Sequence, residues 1–281
     1  MPNGNEFETT DFGAMYSTKL QREFAQLIKR YPKRPVVVSE GDSWFAYPPK
    51  SLLFGKFSNI IDYIERKKRM NFLRLEISGD EALSMTTGKQ GKKLAHVFKT
   101  FPVNILLFSG GGNDIVGEYD MDLFLKPRGP GMKWKDCIHL DRFTRKLDQI
   151  ELAYRLLLDM VDEFAQDPKP VIITHNYDYP IPGKGAEFLG GFVKIKPWMK
   201  PYMDKKGITA PGDQKEIARF MIGEFGKKIK KVAKDNPKKL LVADTLNTLA
   251  PDEWLNEIHA TSQGYKKIAD KIWAVMAKHL Q

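Results

Sequence analysis

The sequence predicts an α/β protein: a doubly wound parallel sheet of five strands with helices on both faces, three layers deep. Three observations carry that expectation. Short apolar runs alternate five times with segments of helical period, which is how a parallel sheet covered on both faces reads. Three of the runs end in glycine turns: Gly41-Asp42-Ser43, Ser78-Gly79-Asp80 and Ser109-Gly110-Gly111-Gly112-Asn113-Asp114. The chain has 281 residues, 42% of them hydrophobic, and shows neither an internal repeat nor a linker, which suits one large domain with insertions.

Residues 1–14 read as a flexible arm, polar and acidic at their start, ahead of a single domain over 15–281. Tyr16, Leu20, Phe24, Leu27 and Ile28 recur at helical spacing and predict a helix over 15–30, ended by Pro32 and Pro35. Val36-Val37-Val38 leads the first strand, 36–40, and Trp44 to Pro49 reads as an aromatic, proline-rich loop. Phe57, Ile60, Ile61 and Ile64 mark a helix, Phe72 to Ile77 a second strand, and Leu94, Val97 and Phe98 another helix. Val103 to Phe108 is the third strand. Residues 115–145 lack a clear period and contain Pro127, Gly129, Pro130 and Gly131, so they read as an insertion near the sheet top.

Ile150, Ala153, Leu157, Met160, Val161 and Phe164 define a long helix before the fourth strand, Val171 to Thr174. A second insertion at about 181–212 carries Phe188, Phe192, Trp198 and Tyr202. Asp213 is placed to cap the next helix, which precedes a fifth strand, Leu240 to Ala243. The last helix carries Tyr265, Ile268, Ala269, Ile272 and Met276 on one side.

Composition narrows the function classes. A single cysteine, Cys137, excludes an internal disulfide and fits a reducing compartment. No apolar leader and no run approaching ~20 apolar residues is visible, so the expectation is a cytoplasmic protein without a membrane span. The net charge of +10 sits in short lysine runs near helix ends, where cations favour the helix dipole. Solvated helix faces account for those runs, and no specific nucleic-acid partner is expected. Metal binding finds no support, since the sequence lacks His-Glu-x-x-His, paired cysteines and an Asp-rich loop. The glycines at 110–112 are not followed by the Gly-Lys-Ser/Thr of a phosphate loop. No cofactor is expected.

In a doubly wound sheet, ligands sit beyond the carboxyl ends of the strands. Ser43, Gly79 and Asn113 each lie just past such an end. Acyl transfer needs a nucleophile, a base and donors for an oxyanion. Ser43 is the candidate nucleophile. Of the five histidines, His96 and His279 read as surface residues and His139 lies in the first insertion. His175 and His259 both fall on the expected active edge, and spacing does not choose between them.

Gly41-Asp42-Ser43, Gly79, Gly111-Gly112-Asn113-Asp114 and His259-Ala260-Thr261 with Gly264-Tyr265 resemble, in order, the four signature blocks of the SGNH hydrolases, the GDSL-type esterases and lipases. The resemblance spans almost the whole chain and implies a flavodoxin-like sheet and hydrolysis of carboxylic esters. It implies that Ser43 is the nucleophile and His259 the base. The oxyanion hole would be formed by the backbone N–H groups of Ser43 and Gly79 and the side-chain amide of Asn113.

One position departs from the pattern. Where the family has aspartate, three residues before the histidine, this chain has Asn256. Three arrangements answer this. Asn256 orients His259 as a neutral partner; a carboxylate from elsewhere (Asp178, Asp252 or Glu257) replaces it; or a dyad works with a backbone carbonyl. The expected substrates are small-molecule, lipid or carbohydrate esters. Acyl transfer to an alcohol and a catalytically weakened binding protein are the rival readings. Acyl length and oligomeric state are not specified by the sequence.

Overall fold

The computed structural model describes residues 12–47, 58–184, 186–188, 193–195 and 197–280. Five parallel strands form the central sheet: β1 (Val36–Gly41), β2 (Asn71–Arg74), β3 (Ile105–Ser109), β4 (Val171–His175) and β7 (Leu240–Ala243). Between β4 and β7, strands β5 (Ala186–Phe188) and β6 (Val193–Ile195) pair antiparallel as a separate ribbon. The sheet order β2-β1-β3-β4-β7 is flavodoxin-like, as expected.

The interior strands carry apolar side chains in unbroken succession because both sheet faces are covered. Val37, Val38 and Ile105 to Phe108 have no solvent exposure. Helices Ile60–Glu65 and Ser262–Met276 pack together on one side. Helices Ala82–Thr86, Gly88–Thr100, Leu140–Phe164 and Pro211–Asp235 form the other layer, and Phe12–Arg30 lies against β2 at the sheet edge.

Register aligns the strand ends. Gly41 pairs with Ser109, Phe108 with Thr174, and His175 with Ala243. The order reverses between β1 and β3, so the segments after those two strands flank the topological switch point.

Several element boundaries differ from the sequence expectation. Of the expected arm, residues 1–11 lie outside the described residues and 12–14 belong to the first helix. The loop expected after Ser43 begins as a helical turn, Ser43–Ala46, because Asp42 caps it by accepting from the Trp44 N–H at 3.0 Å. Phe57, expected in the next helix, lies outside the described residues.

Region 115–145 holds the helix Glu118–Phe124, a 3₁₀ turn at Trp134–Cys137 and the start of the long helix at Leu140. Its elements are too short to show a period. Region 181–212 holds the β5–β6 ribbon and the helix Lys200–Lys205. The helix expected to be capped by Asp213 starts earlier, at Pro211 with Ala210 as cap, because proline's fixed φ suits the first helical position. Asp213 instead pairs with Arg128.

The lysine run after Phe225 is matched by carboxylates: Lys228 with Asp148 and Glu151, Lys230 with Asp244, and Lys231 with Asp235. Among the described residues no helix is long and apolar enough to cross a membrane, and no group of three acidic, histidine or cysteine side chains is placed to hold a metal.

Candidate active site

Ser43 opens the helical turn after β1, and its hydroxyl lies 2.8 Å from Nε2 of His259, a residue 216 positions away in the chain. His259 sits in a tight loop, with Trp254 bridged to Ala260 and the Leu255 N–H donating to the His259 carbonyl at 2.8 Å. Thr261 then caps the last helix by accepting from the Gly264 N–H. Trp44 fixes the distance between the two segments. Its indole N–H donates to the Ile258 carbonyl at 3.0 Å, so the neighbour of Ser43 holds the neighbour of His259.

The imidazole is enclosed. Tyr47 stacks on it at 4.1 Å and Trp198 meets it edge-on at 5.6 Å. Burial disfavours the charged ring and lowers its pKa to about 3. Of the aromatics noted in the second insertion, Trp198 therefore belongs to the site. Phe192 lies outside the described residues.

Asn256 contacts His259, and the orientation of its amide is set by the backbone. Its Oδ1 accepts from the N–H groups of Ile258 at 3.0 Å and His259 at 2.8 Å. The NH₂ group is left facing Nδ1 of His259 at 3.1 Å. Turning the amide over would set its NH₂ against two backbone donors. Nδ1 is thus an acceptor, and the ring proton resides on Nε2, directed at the Ser43 hydroxyl.

The carboxylates considered as substitutes are engaged elsewhere. Asp178 accepts from the backbone N–H groups of Tyr179, Asn247, Thr248 and Leu249, so it braces the loop after β7 and does not orient His259. Glu257 accepts from Gly183, Met199 and Lys200, tying the second insertion down, and Asp252 is exposed.

His175, the other histidine of the active edge, is fully buried beneath the site, with Nε2 2.9 Å from the Ser109 hydroxyl. His96 and His279 are exposed, as expected of surface residues.

Asn113 stands in the helical turn Gly112–Val116 after β3. Gly111 enters that turn at φ 114°, and a Cβ on it would come within 2.4 Å of the Phe225 ring, so both conformation and space require glycine. One N–H of the Asn113 amide donates to the Asp80 carbonyl at 2.9 Å. The adjacent Asp114 accepts from the Ala82 N–H at 2.9 Å. Together they clamp the exposed loop that carries Gly79 at φ 94°. A small cavity of ≈ 20 Å³ adjoins Ser43 and Asn113 and is walled by Val116, Pro180, Ile222 and Ile258.

Two residues escaped the sequence reading. Trp44 reads from the sequence as the start of a loop, and Tyr177 as one residue of the segment after the fourth strand. The adjacency of Trp44 to Ser43 was the only sequence signal for either.

No family model and no curated protein matches the chain. Solved structures of similar fold include a carbohydrate acetylesterase family member from Sinorhizobium meliloti, 11% identical, covering 88% of this chain and 99% of that one, with a TM-score of 0.45. The acetyl xylan esterase AlAXEase is 13% identical over 85% of this chain and 99% of its own, with a TM-score of 0.44. The salicylyl-acyltransferase SsfX3 from a tetracycline biosynthetic pathway is 11% identical over 87% of this chain and 55% of its own, with a TM-score of 0.44. At these identities the likeness is one of fold alone. The sheet order, with the segments of Ser43, Asn113 and His259 beyond the strand ends, is that of a flavodoxin-like α/β fold.

Proposed function

We propose that the protein is a serine-dependent hydrolase of carboxylic esters with short acyl groups. The observation that carries the reading is the 2.8 Å contact between Ser43 and His259 at the switch point of the sheet. In this mechanism the ring proton of His259 first moves to Nδ1, and Ser43 Oγ then attacks the ester carbonyl while its own proton passes to the freed Nε2. The tetrahedral oxyanion is held by the backbone N–H groups of Ser43 and Gly79 and by the second N–H of the Asn113 amide. Collapse expels the alcohol, which takes the proton from His259, and water then releases the acid by the same route in reverse.

The acyl preference follows from the cavity beside Ser43. A volume of ≈ 20 Å³ holds about one water, or a methyl-sized group. Acetyl esters, including those of sugars, suit it better than long-chain lipids.

Asn256 slows the base. For Nε2 to accept the serine proton, the ring proton must move to Nδ1 and meet an acceptor. The amide oxygen can become that acceptor only by releasing the Ile258 and His259 N–H groups. That feature also favours a second reading, a binding protein that keeps the scaffold but has little turnover.

A fluorophosphonate probe separates the two. The hydrolase reading expects a covalent adduct on Ser43, mapped by mass spectrometry, and release of p-nitrophenol from the acetate ester faster than from the octanoate. An unlabelled Ser43 with no esterase activity would leave the binding protein.

A further inference from the structure

Tyr177 follows β4 and is held at φ 56°, a left-handed backbone rare for a bulky residue. Three contacts enforce it. Its N–H donates to His175 Nδ1 at 3.2 Å, its carbonyl accepts from the Thr245 hydroxyl at 2.6 Å, and its own hydroxyl donates to Asp42 Oδ2 at 2.5 Å. Backbone strain fixed from several sides clusters at functional sites.

The circuit closes on itself. Asp42 Oδ1 accepts from the Ser109 hydroxyl at 2.8 Å, and Ser109 accepts from His175 Nε2–H at 2.9 Å, the tautomer dictated by the Tyr177 N–H on Nδ1. The Tyr177 ring, 1% exposed, lies over Gly112, where a Cβ would stand 2.9 Å from ring carbons. One side chain therefore touches the residue before Ser43 and the residue before Asn113.

We propose that Tyr177 is a positioning residue that sets the spacing of Ser43 and Asn113 by gripping Asp42 and packing on Gly112. The inference rests on Ser43 being the nucleophile. It implies that Asp42 must be ionised for the site to be aligned, because only the carboxylate accepts all three donors, from Tyr177, Ser109 and Trp44.

The other ionisable groups facing Asp42 are His175 through Ser109, and Asp114, Tyr154 and Tyr265 from the elements packed around it. Burial pushes the three tyrosine hydroxyls up and keeps His175 neutral. Asp114 alone titrates in a range close to that of Asp42, and its charge raises the Asp42 pKa.

Tyr177→Phe keeps the ring and deletes one donor to the charged form of Asp42. On p-nitrophenyl acetate the variant should lose about 10–10² in kcat with little change in KM, the scale of a misplacement near 1 Å. The acid limb of its pH–rate profile should move to higher pH, since the carboxylate becomes harder to ionise. Asp42→Asn keeps a helix-capping residue and should remove that limb. The double variant should lose no more than the worse single one, as residues acting as a unit do.

Unchanged kcat and pH profile in Tyr177→Phe, or additive losses in the double variant, would overturn the proposal. If the wild type neither labels at Ser43 nor turns over, the hydrolase reading falls and this one with it. A wild type that labels, beside a Tyr177→Phe variant labelling at an equal rate, refutes the positioning role alone.

Discussion

The two halves of the Ser43–His259 pair are supported in opposite ways. Beneath the serine, a buried carboxylate, Asp42, gathers the hydroxyls of Tyr177 and Ser109 and the N–H of Trp44. Behind the histidine stands a neutral amide whose oxygen is already spent on two backbone N–H groups. A carboxylate thus stands where it holds the turn that carries Ser43, and none of the described residues places one where it would stabilise an imidazolium at His259. Other buried carboxylates follow the first pattern. Asp178 and Glu257 each collect backbone donors and hold loops around the site. Among the described residues no carboxylate is directed at Nδ1, which faces the Asn256 amide.

Ser43→Ala should abolish turnover, with a loss of about 10⁴ or more, since the residual rate of a site without its nucleophile comes from binding and oxyanion donors alone. Full activity in that variant would remove the serine from the chemistry. Asn113→Ala should lower kcat by ~10²–10³, the usual effect of one oxyanion donor, read from steady-state kinetics on the acetate ester. A loss confined to KM would assign Asn113 to ground-state binding. Ile222→Ala should raise the butyrate-to-acetate ratio of kcat/KM by roughly tenfold, in line with a methylene's worth of pocket space. An unchanged ratio would place the acyl group elsewhere.

A smaller effect concerns stability. Burial keeps His259 neutral, with a pKa of about 3 in the fold against 6.5 when exposed. The folded-state pKa is depressed, so the fold binds fewer protons than the unfolded chain between those values. Its contribution is full above pH 6.5 and is lost as pH falls toward 3. Asp42 and Asp114 are shifted upward, to about 7 and about 6, and act in the opposite sense over an overlapping range. The difference between proteins isolates the histidine. The melting temperature of the wild type relative to His259→Gln should fall as pH drops from 7 to 4, and a constant gap would contradict the burial argument.

Much of the fold was legible because parallel strands buried on both faces leave an unmistakable apolar run, as in Val36–Val38 and Ile105–Phe108. The positions of Ser43 and Asn113 followed from the strand ends. Less visible were features decided by side chains meeting across the chain. His175 and His259 have similar local sequence settings, and only the Trp44–Ile258 bond and the loop at 254–260 bring one of them to Ser43. Asp178 stood on the correct edge, but nothing in its neighbourhood told that the loop after β7 would claim its oxygens. The short helices at 82–86 and 118–124 were missed because too few turns exist for a period to register. Tyr177 was unreadable because its left-handed backbone is held by Asp42 and Thr245, both far away in the chain.

The neutral amide behind the histidine is tested most directly by Asn256→Asp. One carboxylate oxygen can keep the Ile258 and His259 N–H groups while the other accepts from Nδ1–H, which puts Nε2 in the form that takes a proton from Ser43. The kcat/KM on p-nitrophenyl acetate should then rise at least ~10-fold, within the 10⁴ that the reverse exchange removes from a serine protease. A rate that stays level or falls in a folded Asn256→Asp protein would contradict the assignment of the ring proton and of His259 as the base.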